Sequence, residues 1–241
     1  MKRNRQLVNT FIQGNCFAGS IRAMLAANDT FEFRPAKDVT SADMILYTGG
    51  SDINPALYGE NKLDCTWVDT NQDKEDGLVY HEGKKLGKFQ VGICRGAQLL
   101  NVLNGGSMWQ DVNNHGGREH LVQDVLTKKT YLVSSLHHQG IILNPQKSQL
   151  LAFCEESTRK ISAKGAWREE SGRPSTDVEA FYYPETRSLG VQWHPECGPR
   201  DCINLFFNYI ERYINLDSNG VTSRTEGASK DITQEVDRAV G

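Results

Sequence analysis

One short segment limits the possible folds of this 241-residue chain more than any other. Phe89 to Ile93 is a compact apolar run that predicts a buried strand, and it leads directly into the sequence Gly92-Ile93-Cys94-Arg95-Gly96. Arg95 to Asn104 then carries a helical pattern that stops at Gly105-Gly106. A strand that turns sharply into a helix, with glycines on both sides of a cysteine, is typical of α/β proteins that present a nucleophile at the end of a strand.

Strands and helices alternate along most of the remaining chain. The predicted elements before Cys94 are strands over Leu7–Gln13, Phe31–Phe33 and Asp43–Tyr47 and helices over Ser20–Ala27 and Asp73–Leu86. This order predicts an α/β fold with a mostly parallel central sheet and helices on both faces. The later elements predict small antiparallel additions and a closing helix: a hairpin over Leu121–Val133, a strand pair over Val178–Tyr182 and Leu189–Trp193, and a helix over Asp201–Tyr213.

Composition sets the expected domain count and compartment. We expect one domain over residues 1–216, followed by a loose polar tail over residues 217–241, from which aromatic residues are absent. The formal charge of -3 argues against a nucleic-acid partner, and no apolar run approaches the ~20 residues of a membrane span. The basic start lacks the apolar stretch of a signal peptide, and no two of the six cysteines form a C-x-x-C pair. We therefore expect reduced thiols and a cytoplasmic protein.

Cys94 is the candidate nucleophile. Its flanking glycines lack the β-carbons that would clash in a sharp turn, and the turn places the thiol at a helix N-terminus, where a thiolate is favoured. Gln98 lies one helical turn further on the same face, within reach of a bound substrate. The alternative is that Cys94 is a small buried core residue, as most free cysteines are. The predicted strand before it and the glycine-terminated helix after it favour the nucleophile.

His194 and Glu196 are the candidate base and its orienting carboxylate. They lie in the sequence Val191-Gln192-Trp193-His194-Pro195-Glu196, in which Pro195 favours an extended conformation at His194. In extended backbone, residues two positions apart point to the same side, so the carboxylate can hold one ring nitrogen while the other takes the thiol proton. An isolated His-Pro-Glu is equally compatible with a surface turn. Its occurrence together with the glycine-flanked cysteine favours catalysis.

Other histidines raise the question of a metal. His137 and His138 are adjacent, and His115 and His120 precede them. Adjacent residues of a strand point to opposite faces, and no carboxylate stands at a metal-ligand spacing from them. We therefore expect no metal and no cofactor.

Four ordered segments, between about residues 44 and 210, carry a resemblance to a known family. They are Gly49-Gly50 with Asp52–Pro55 and Tyr58–Glu60, then Gly92–Val102 with Gly105-Gly106 and Gln110-Asp111, then Ser135–Gln139, and finally Val191–Glu196. Together they resemble class I glutamine amidotransferase-like proteins of the γ-glutamyl hydrolase branch, peptidase family C26. Cysteine followed by Arg-Gly, with His-His-Gln downstream, most resembles the γ-glutamyl-γ-aminobutyrate hydrolases.

The resemblance implies a flavodoxin-like sheet that carries a triad of Cys94, His194 and Glu196. It also implies that the main-chain amides of Gly50 and Arg95 form an oxyanion hole. In such families Gln98 and the segment Ser135, Leu136, His137 and His138 hold the glutamyl end of the substrate. The implied reaction is attack of Cys94 on a γ-carbonyl, release of an amine, and hydrolysis of a γ-glutamyl thioester.

Three functions remain open at this stage. The first is a stand-alone hydrolase of γ-glutamyl amides of small amines, without a macromolecular partner other than a possible second copy of itself. The second is a glutaminase subunit that delivers ammonia to a separate synthetase. The third is a non-enzymatic binding relative, which would normally have lost its nucleophile or base. Trp109 with Phe181, Tyr182 and Tyr183 is expected to offer apolar surface for the carbon chain of a leaving amine.

Overall fold

The computed structural model describes residues 5–168 and 176–216 of the chain. The predicted tail over residues 217–241 lies outside this range. The helices are α1 (Ala18–Ala26), α2 (Thr70–Lys85), α3 (Arg95–Leu103) and α4 (Arg200–Leu216). The strands are β1 (Gln6–Gln13), β2 (Phe31–Pro35), β3 (Met44–Tyr47), β4 (Phe89–Ile93), β5 (Ser107–Trp109), β6 (Asp111–Val112), β7 (Gly116–Asp124), β8 (Thr130–Leu136), β9 (Gly140–Ile142), β10 (Gln149–Cys154), β11 (Arg159–Ser162), β12 (Gly165–Arg168), β13 (Asp177–Tyr183) and β14 (Ser188–Val191).

The main sheet has a parallel half and an antiparallel half. Its strand order is β2-β1-β3-β4-β14-β13-β10-β7-β8, and β5 and β9 attach beside β13. The first five strands pair in parallel. From β14 onward every pairing along this order is antiparallel. A second, small sheet has the order β12-β11-β6. The predicted fold class is confirmed, but the antiparallel part is larger than the small additions expected.

Helices cover both faces of the sheet, as an amphipathic helix requires an apolar surface on which to pack. On one face Ile21 of α1 and Phe206 of α4 belong to a core with Val91 of β4. On the other face Tyr80 of α2 and Leu99 of α3 join Ile45 of β3 in a second core. Within the described residues, no helix is both long enough and apolar enough to cross a membrane.

The topology brings three strand ends together. β3, β4 and β14 are neighbours and run in parallel, so their carboxyl ends lie at one edge of the sheet. Gly49-Gly50 follows β3, Cys94 follows β4, and His194 comes shortly after β14. In open α/β sheets, ligands bind outside the carboxyl ends of the strands. The segments that the sequence singled out therefore meet where this architecture places its binding sites.

Candidate active site

Cys94 occupies the strained turn that the sequence indicated. Its backbone has φ 52° and ψ −109°, a combination that L-residues rarely adopt, and it directly precedes α3. A Cβ on Gly92 would lie 2.4 Å from the carbonyl carbon of Gly96, and a Cβ on Gly96 would lie 2.4 Å from the carbonyl oxygen of Tyr47. Both contacts are with main-chain atoms that cannot easily move. Glycine is therefore required on both sides of Cys94 for β4 and α3 to meet at this angle.

His194 and Glu196 are hydrogen-bonded. The distance from His194 Nδ1 to Glu196 Oε1 is 2.8 Å, and both side chains are almost completely buried. His194 is extended, as predicted, but Pro195 begins a short 3-10 turn over Pro195–Cys197. The predicted proximity is therefore present, although a turn and not extended backbone brings the carboxylate to the ring.

Ser134 fixes the main chain of His194. The His194 amide donates to Ser134 Oγ at 3.0 Å, and the hydroxyl donates to the His194 carbonyl oxygen at 2.8 Å. Phe17 contacts the imidazole ring edge-on, at 5.4 Å between ring centroids. Neither residue was identified from the sequence, because both come from distant elements and belong to no motif.

The charges of Cys94 and Glu196 favour a protonated, positively charged imidazole on His194. Burial lowers the pKa of His194, but hydrogen bonds to the Cys94 sulfur and to Glu196, together with their negative charges, outweigh burial and raise the pKa to about 10. The ring is therefore protonated at neutral pH, next to the thiol. A thiolate held by an imidazolium is the reactive form of a cysteine nucleophile.

The glycine pair after β3, Gly49-Gly50, lies against His194 and Arg95. A Cβ on Gly49 would come within 2.9 Å of His194 Cε1, and a Cβ on Gly50 would lie 2.8 Å from Arg95 Cδ. The amide of Arg95 belongs to the first turn of α3, where main-chain N–H groups have no acceptor within the helix. These positions suit the oxyanion-hole roles predicted for the Gly50 and Arg95 amides, which stay predictions.

The Arg95 side chain has a separate place in the structure. It is buried and pairs with two carboxylates of α2, with Nη2 at 2.5 Å from Asp73 Oδ1 and Nη1 bonded to Asp76. A buried guanidinium needs such partners because an unpaired buried charge is costly. The ion pairs connect α2 to the start of α3 and hold the turn at Cys94. The sequence indicated only the amide of this residue.

The glutamine predicted to hold substrate is part of a chain of amides. Gln98 Nε2 donates to Gln192 Oε1 at 3.3 Å, and Gln192 Nε2 lies 3.7 Å from Cys94 Sγ. The sequence singled out Gln192 only as part of the His194 segment. Gln192 thus lies beside the Cys94 sulfur, and the Gln98 side chain contacts Gln192.

The other predicted substrate residues point in different directions. Ser135 donates to the main-chain oxygen of His115 at 2.6 Å, and Leu136 is half exposed. His137 is buried and lies 3.7 Å from Glu179. The His138 side chain lies 3.1 Å from Asp52, close to the Gly49-Gly50 turn. The alternation expected of strand residues is thus present, and substrate binding by the segment Ser135 to His138 stays a prediction.

The prediction about an aromatic leaving-group surface is wrong for three of its four residues. Phe181, Tyr182 and Tyr183 are each at most 3% exposed, while Trp109 in β5 is half-buried. The three aromatics lie in β13, whose two faces are both covered: Tyr182 belongs to the core under α4, and its two neighbours belong to the core under α3. Because both faces of β13 are covered at Phe181, Tyr182 and Tyr183, the three successive aromatic residues are all buried and none faces solvent.

One premise behind the expectation of no metal is wrong. A carboxylate does reach the histidines: Glu179 of β13 lies within 3.7 Å of His115, His120 and His137. It comes from a strand about 40 residues later in the chain (179 minus 137 is 42), so local spacing could not reveal it. Cys154 of β10 lies beside the same carboxylate at 3.6 Å.

Comparisons with known proteins agree with this arrangement. The sequence profile of the family described as Peptidase C26 matches residues 2–196. A Lactococcus lactis protein, provisionally named glutamine amidotransferase-like protein YvdE, is 30% identical over 164 residues, which cover 66% of this chain and 68% of that protein. A carbamoyl phosphate synthase small chain of Streptococcus mutans is 29% identical over 143 residues, covering 58% of this chain and 35% of that one.

Similarity of structure extends further along the chain. A crystal structure from Thermoplasma acidophilum, described as that of a candidate GMP synthase subunit, covers 87% of this chain and 98% of its own with a TM-score of 0.52. Sequence identity to it is 17%, so this likeness concerns the fold alone.

Proposed function

The chain belongs to the peptidase C26 family of glutamine amidotransferase-like proteins, and from this membership we propose that it is a cysteine-dependent hydrolase of γ-glutamyl amide bonds. The observation that carries the proposal is the arrangement at the carboxyl edge of the sheet. A cysteine in a strained strand-to-helix turn stands beside a buried histidine, and a buried glutamate holds the other ring nitrogen. This is the geometry of nucleophile, base and orienting carboxylate.

The proposed reaction has two steps. In the first, the Cys94 thiolate attacks the γ-carbonyl carbon, and the C–N bond breaks as the leaving amine takes a proton from His194. In the second, His194 removes a proton from water, which attacks the thioester and expels the Cys94 thiolate; the thiolate–imidazolium pair is restored, and the γ-carboxylic acid loses its proton to solvent. The amides of Gly50 and Arg95 would donate to the oxyanion in both steps. Glu196 would keep the imidazole in its orientation and stabilise its charge.

The substrate we propose is a γ-glutamyl derivative of a small aliphatic amine or amino acid. Two motifs of this chain resemble those of the γ-glutamyl-γ-aminobutyrate hydrolases: Cys94-Arg95-Gly96 and His137-His138-Gln139. This resemblance supports the narrower assignment. Gln192 beside the sulfur, and Gln98 bonded to it, are suited to contact the glutamyl part. Half-buried Trp109 retains apolar surface for the carbon chain of an amine.

The test is an assay of the purified chain alone against glutamine and a panel of γ-glutamyl amines, with free glutamate measured as product. We expect the best γ-glutamyl amine to have a kcat/KM at least about tenfold above that of glutamine, equivalent to ~1.4 kcal/mol of transition-state binding. A leaving group that fills apolar surface gains binding that ammonia cannot. Glutamine as the best substrate would contradict the narrower assignment.

A second function has one observation in its favour. The match to a carbamoyl phosphate synthase small chain fits a glutaminase subunit that supplies ammonia to a separate synthetase. Such a subunit commonly waits for its synthetase to align the site. Activity that appears only when a partner co-purifies would favour this function, whereas full activity of the isolated chain would favour the hydrolase.

A further inference from the structure

A group of buried polar side chains lies in the antiparallel half of the main sheet, apart from the residues around Cys94. His120 is in β7, Cys154 ends β10, Glu179 is in β13, and His115 immediately precedes β7. One nitrogen, sulfur or oxygen atom from each of the four lies within 4.8 Å of those from the others. All four residues are buried. This combination of nitrogen, sulfur and carboxylate donors is the one that zinc sites use.

The distances around the carboxylate are close to those of a coordination sphere. Glu179 Oε1 lies 3.2 Å from His120 Nε2, 3.6 Å from Cys154 Sγ and 3.7 Å from His115 Nδ1. Zinc–ligand bonds of ~2.0–2.3 Å arranged as a tetrahedron place neighbouring ligand atoms about 3.3–3.8 Å apart. The three pairs that include Glu179 Oε1 thus have nearly the spacing of zinc ligands, and the remaining pairs, which lie within 4.8 Å, would contract by up to about 1 Å around an ion.

Several of these polar atoms lack the hydrogen bonds that buried groups normally make. Among the described residues, His120 Nδ1 and Glu179 Oε2 have no hydrogen-bond partner, and His115 Nε2, His120 Nε2 and His137 Nε2 face carboxylate oxygens at 3.2–3.7 Å without hydrogen-bond geometry. Buried polar atoms are almost always satisfied, and leaving one unpaired costs about 1–3 kcal/mol. These polar atoms, concentrated at one point, leave lone pairs that a bound cation could accept.

The tautomer of His137 adds an acceptor to this group. Its Nδ1 lies 2.8 Å from the carbonyl oxygen of Gln139, and because a carbonyl only accepts, Nδ1 carries the hydrogen. In the neutral ring, Nε2 then directs a lone pair toward Glu179 Oε1, 3.7 Å away. Two acceptors that face each other in a buried space need a proton or a cation close to both, and a metal ion beside Glu179 would meet that need.

Charge balance leads to the same conclusion. Asp177, the other carboxylate beside the group, already has a cation, because Lys160 Nζ lies 2.7 Å from its Oδ1. Glu179 is completely buried and its carboxylate lies next to the Cys154 thiol. A zinc ion would bind Cys154 as the thiolate, and the two negative charges of that thiolate and the Glu179 carboxylate would then match the charge of the ion.

We propose that His115, His120, Cys154 and Glu179 bind one Zn²⁺ ion as a closed, structural site. His115 Nε2 lies 3.3 Å from Asp177 Oδ2, so that carboxylate orients the ring, as outer residues commonly do around zinc. The ion would cross-link β7, β10 and β13, each of which supplies one ligand. His137 borders the site and is the neighbour of His138, so the ion would also fix the segment Ser135 to His138.

The test measures metal content and needs no substrate, so its outcome is independent of the proposed hydrolase activity. Full-length protein, purified without chelators or an affinity tag that binds metal, is analysed by inductively coupled plasma mass spectrometry. We expect about one zinc per chain, retained on dialysis. Protein stripped of metal is then titrated with Co²⁺. Tetrahedral coordination and a sulfur-to-cobalt charge-transfer band are the expected spectrum.

Two ligand variants and two matched controls locate the site. Cys154→Ser should eliminate the charge-transfer band, and Glu179→Gln should lower cobalt affinity by about 10- to 100-fold or more. His81→Gln and Cys197→Ser replace the same donor types elsewhere and should keep the wild-type band and stoichiometry. Far-UV circular dichroism checks that each variant is folded.

Two results would contradict the proposed zinc site. One is wild-type protein that retains no zinc and shows no cobalt band, which would make the group a network of histidine–carboxylate ion pairs. The other is a folded Cys154→Ser variant whose cobalt spectrum and affinity are unchanged.

Discussion

Replacing Cys94 with alanine is expected to reduce hydrolysis of γ-glutamyl amides to the background rate. The loss should reach about 10⁴-fold or more, because no other group in the described site can form the thioester. Alanine keeps the β-carbon and the backbone of the turn, so the melting temperature should change little. Cys197→Ala, which removes an exposed thiol close to the site, is the matched control and should remain active. A Cys94→Ala protein with near wild-type activity would contradict the assignment of the nucleophile.

Alkylation should distinguish Cys94 from the other cysteines. Iodoacetamide reacts with thiolates, and it should label Cys94 ahead of the other cysteines. Burial and the nearby charge of Cys94 raise the pKa of Cys16, and burial and Glu196 raise that of Cys197. These two neighbours are therefore mostly neutral thiols at pH 7. Peptide mapping after brief labelling gives the order of reaction.

The strain in the turn makes a further comparison possible at the same residue. Backbone strain of this kind costs about 1–3 kcal/mol, and a glycine at this position would avoid it. Although glycine loses ~0.5–1 kcal/mol through its freer unfolded chain, Cys94→Gly should melt at a higher temperature than Cys94→Ala. Both variants lack the thiol, so the comparison isolates the geometry from the chemistry. Equal or lower stability of the glycine variant would show that the turn is not strained.

Replacing His194 with alanine is expected to cause the second large loss, of about 10⁴-fold in kcat. In the proposed reaction the ring supplies a proton to the leaving amine and takes one from water, and nothing else in the described site is placed to do both. Glu196→Gln should lose less, by at least about tenfold, because it disturbs orientation and charge but leaves the base in place. Small and equal losses in the two variants would point to a different base.

The pH profile distinguishes the role of Glu196. The pKa of His194 is raised to about 10, so the imidazolium is present at neutral pH and is lost as the pH rises through that value. In Glu196→Gln a negative charge that raises this pKa is gone, so the imidazolium is lost at a lower pH. The alkaline limb of kcat/KM should therefore move to lower pH in this variant. An unchanged limb would show that Glu196 does not act on the ring.

The parts of the site that the sequence predicted depend on neighbours along the chain. Cys94 was identifiable because an apolar strand, two glycines and a helix surround it within about fifteen residues. Glu196 follows His194 by two positions, and backbone geometry brings such residues together in an extended segment or in the turn that the structure has. The parallel half of the sheet followed from the same kind of local alternation.

The parts that were missed depend on contacts between distant segments. Ser134 reaches the main chain of His194 from β8, and Arg95 pairs with Asp73 and Asp76 of α2. Glu179 meets His120 because β7, β10 and β13 are adjacent in an antiparallel arrangement that the sequence pattern understated. Pairing between strands far apart in sequence has no local signature, so one sequence could not reveal these contacts.

The central claim, that Cys94 attacks a γ-glutamyl carbonyl, is tested most directly by trapping the intermediate. Enzyme and a γ-glutamyl amine are mixed, quenched in acid within milliseconds to seconds, and digested for mass spectrometry at low pH, where thioesters survive. We predict that the Cys94 peptide carries the mass of one γ-glutamyl group, that free thiol returns as substrate is consumed, and that Cys94→Ala carries no such adduct. A γ-glutamyl adduct on another residue, or turnover by Cys94→Ala at the wild-type rate, would contradict the account.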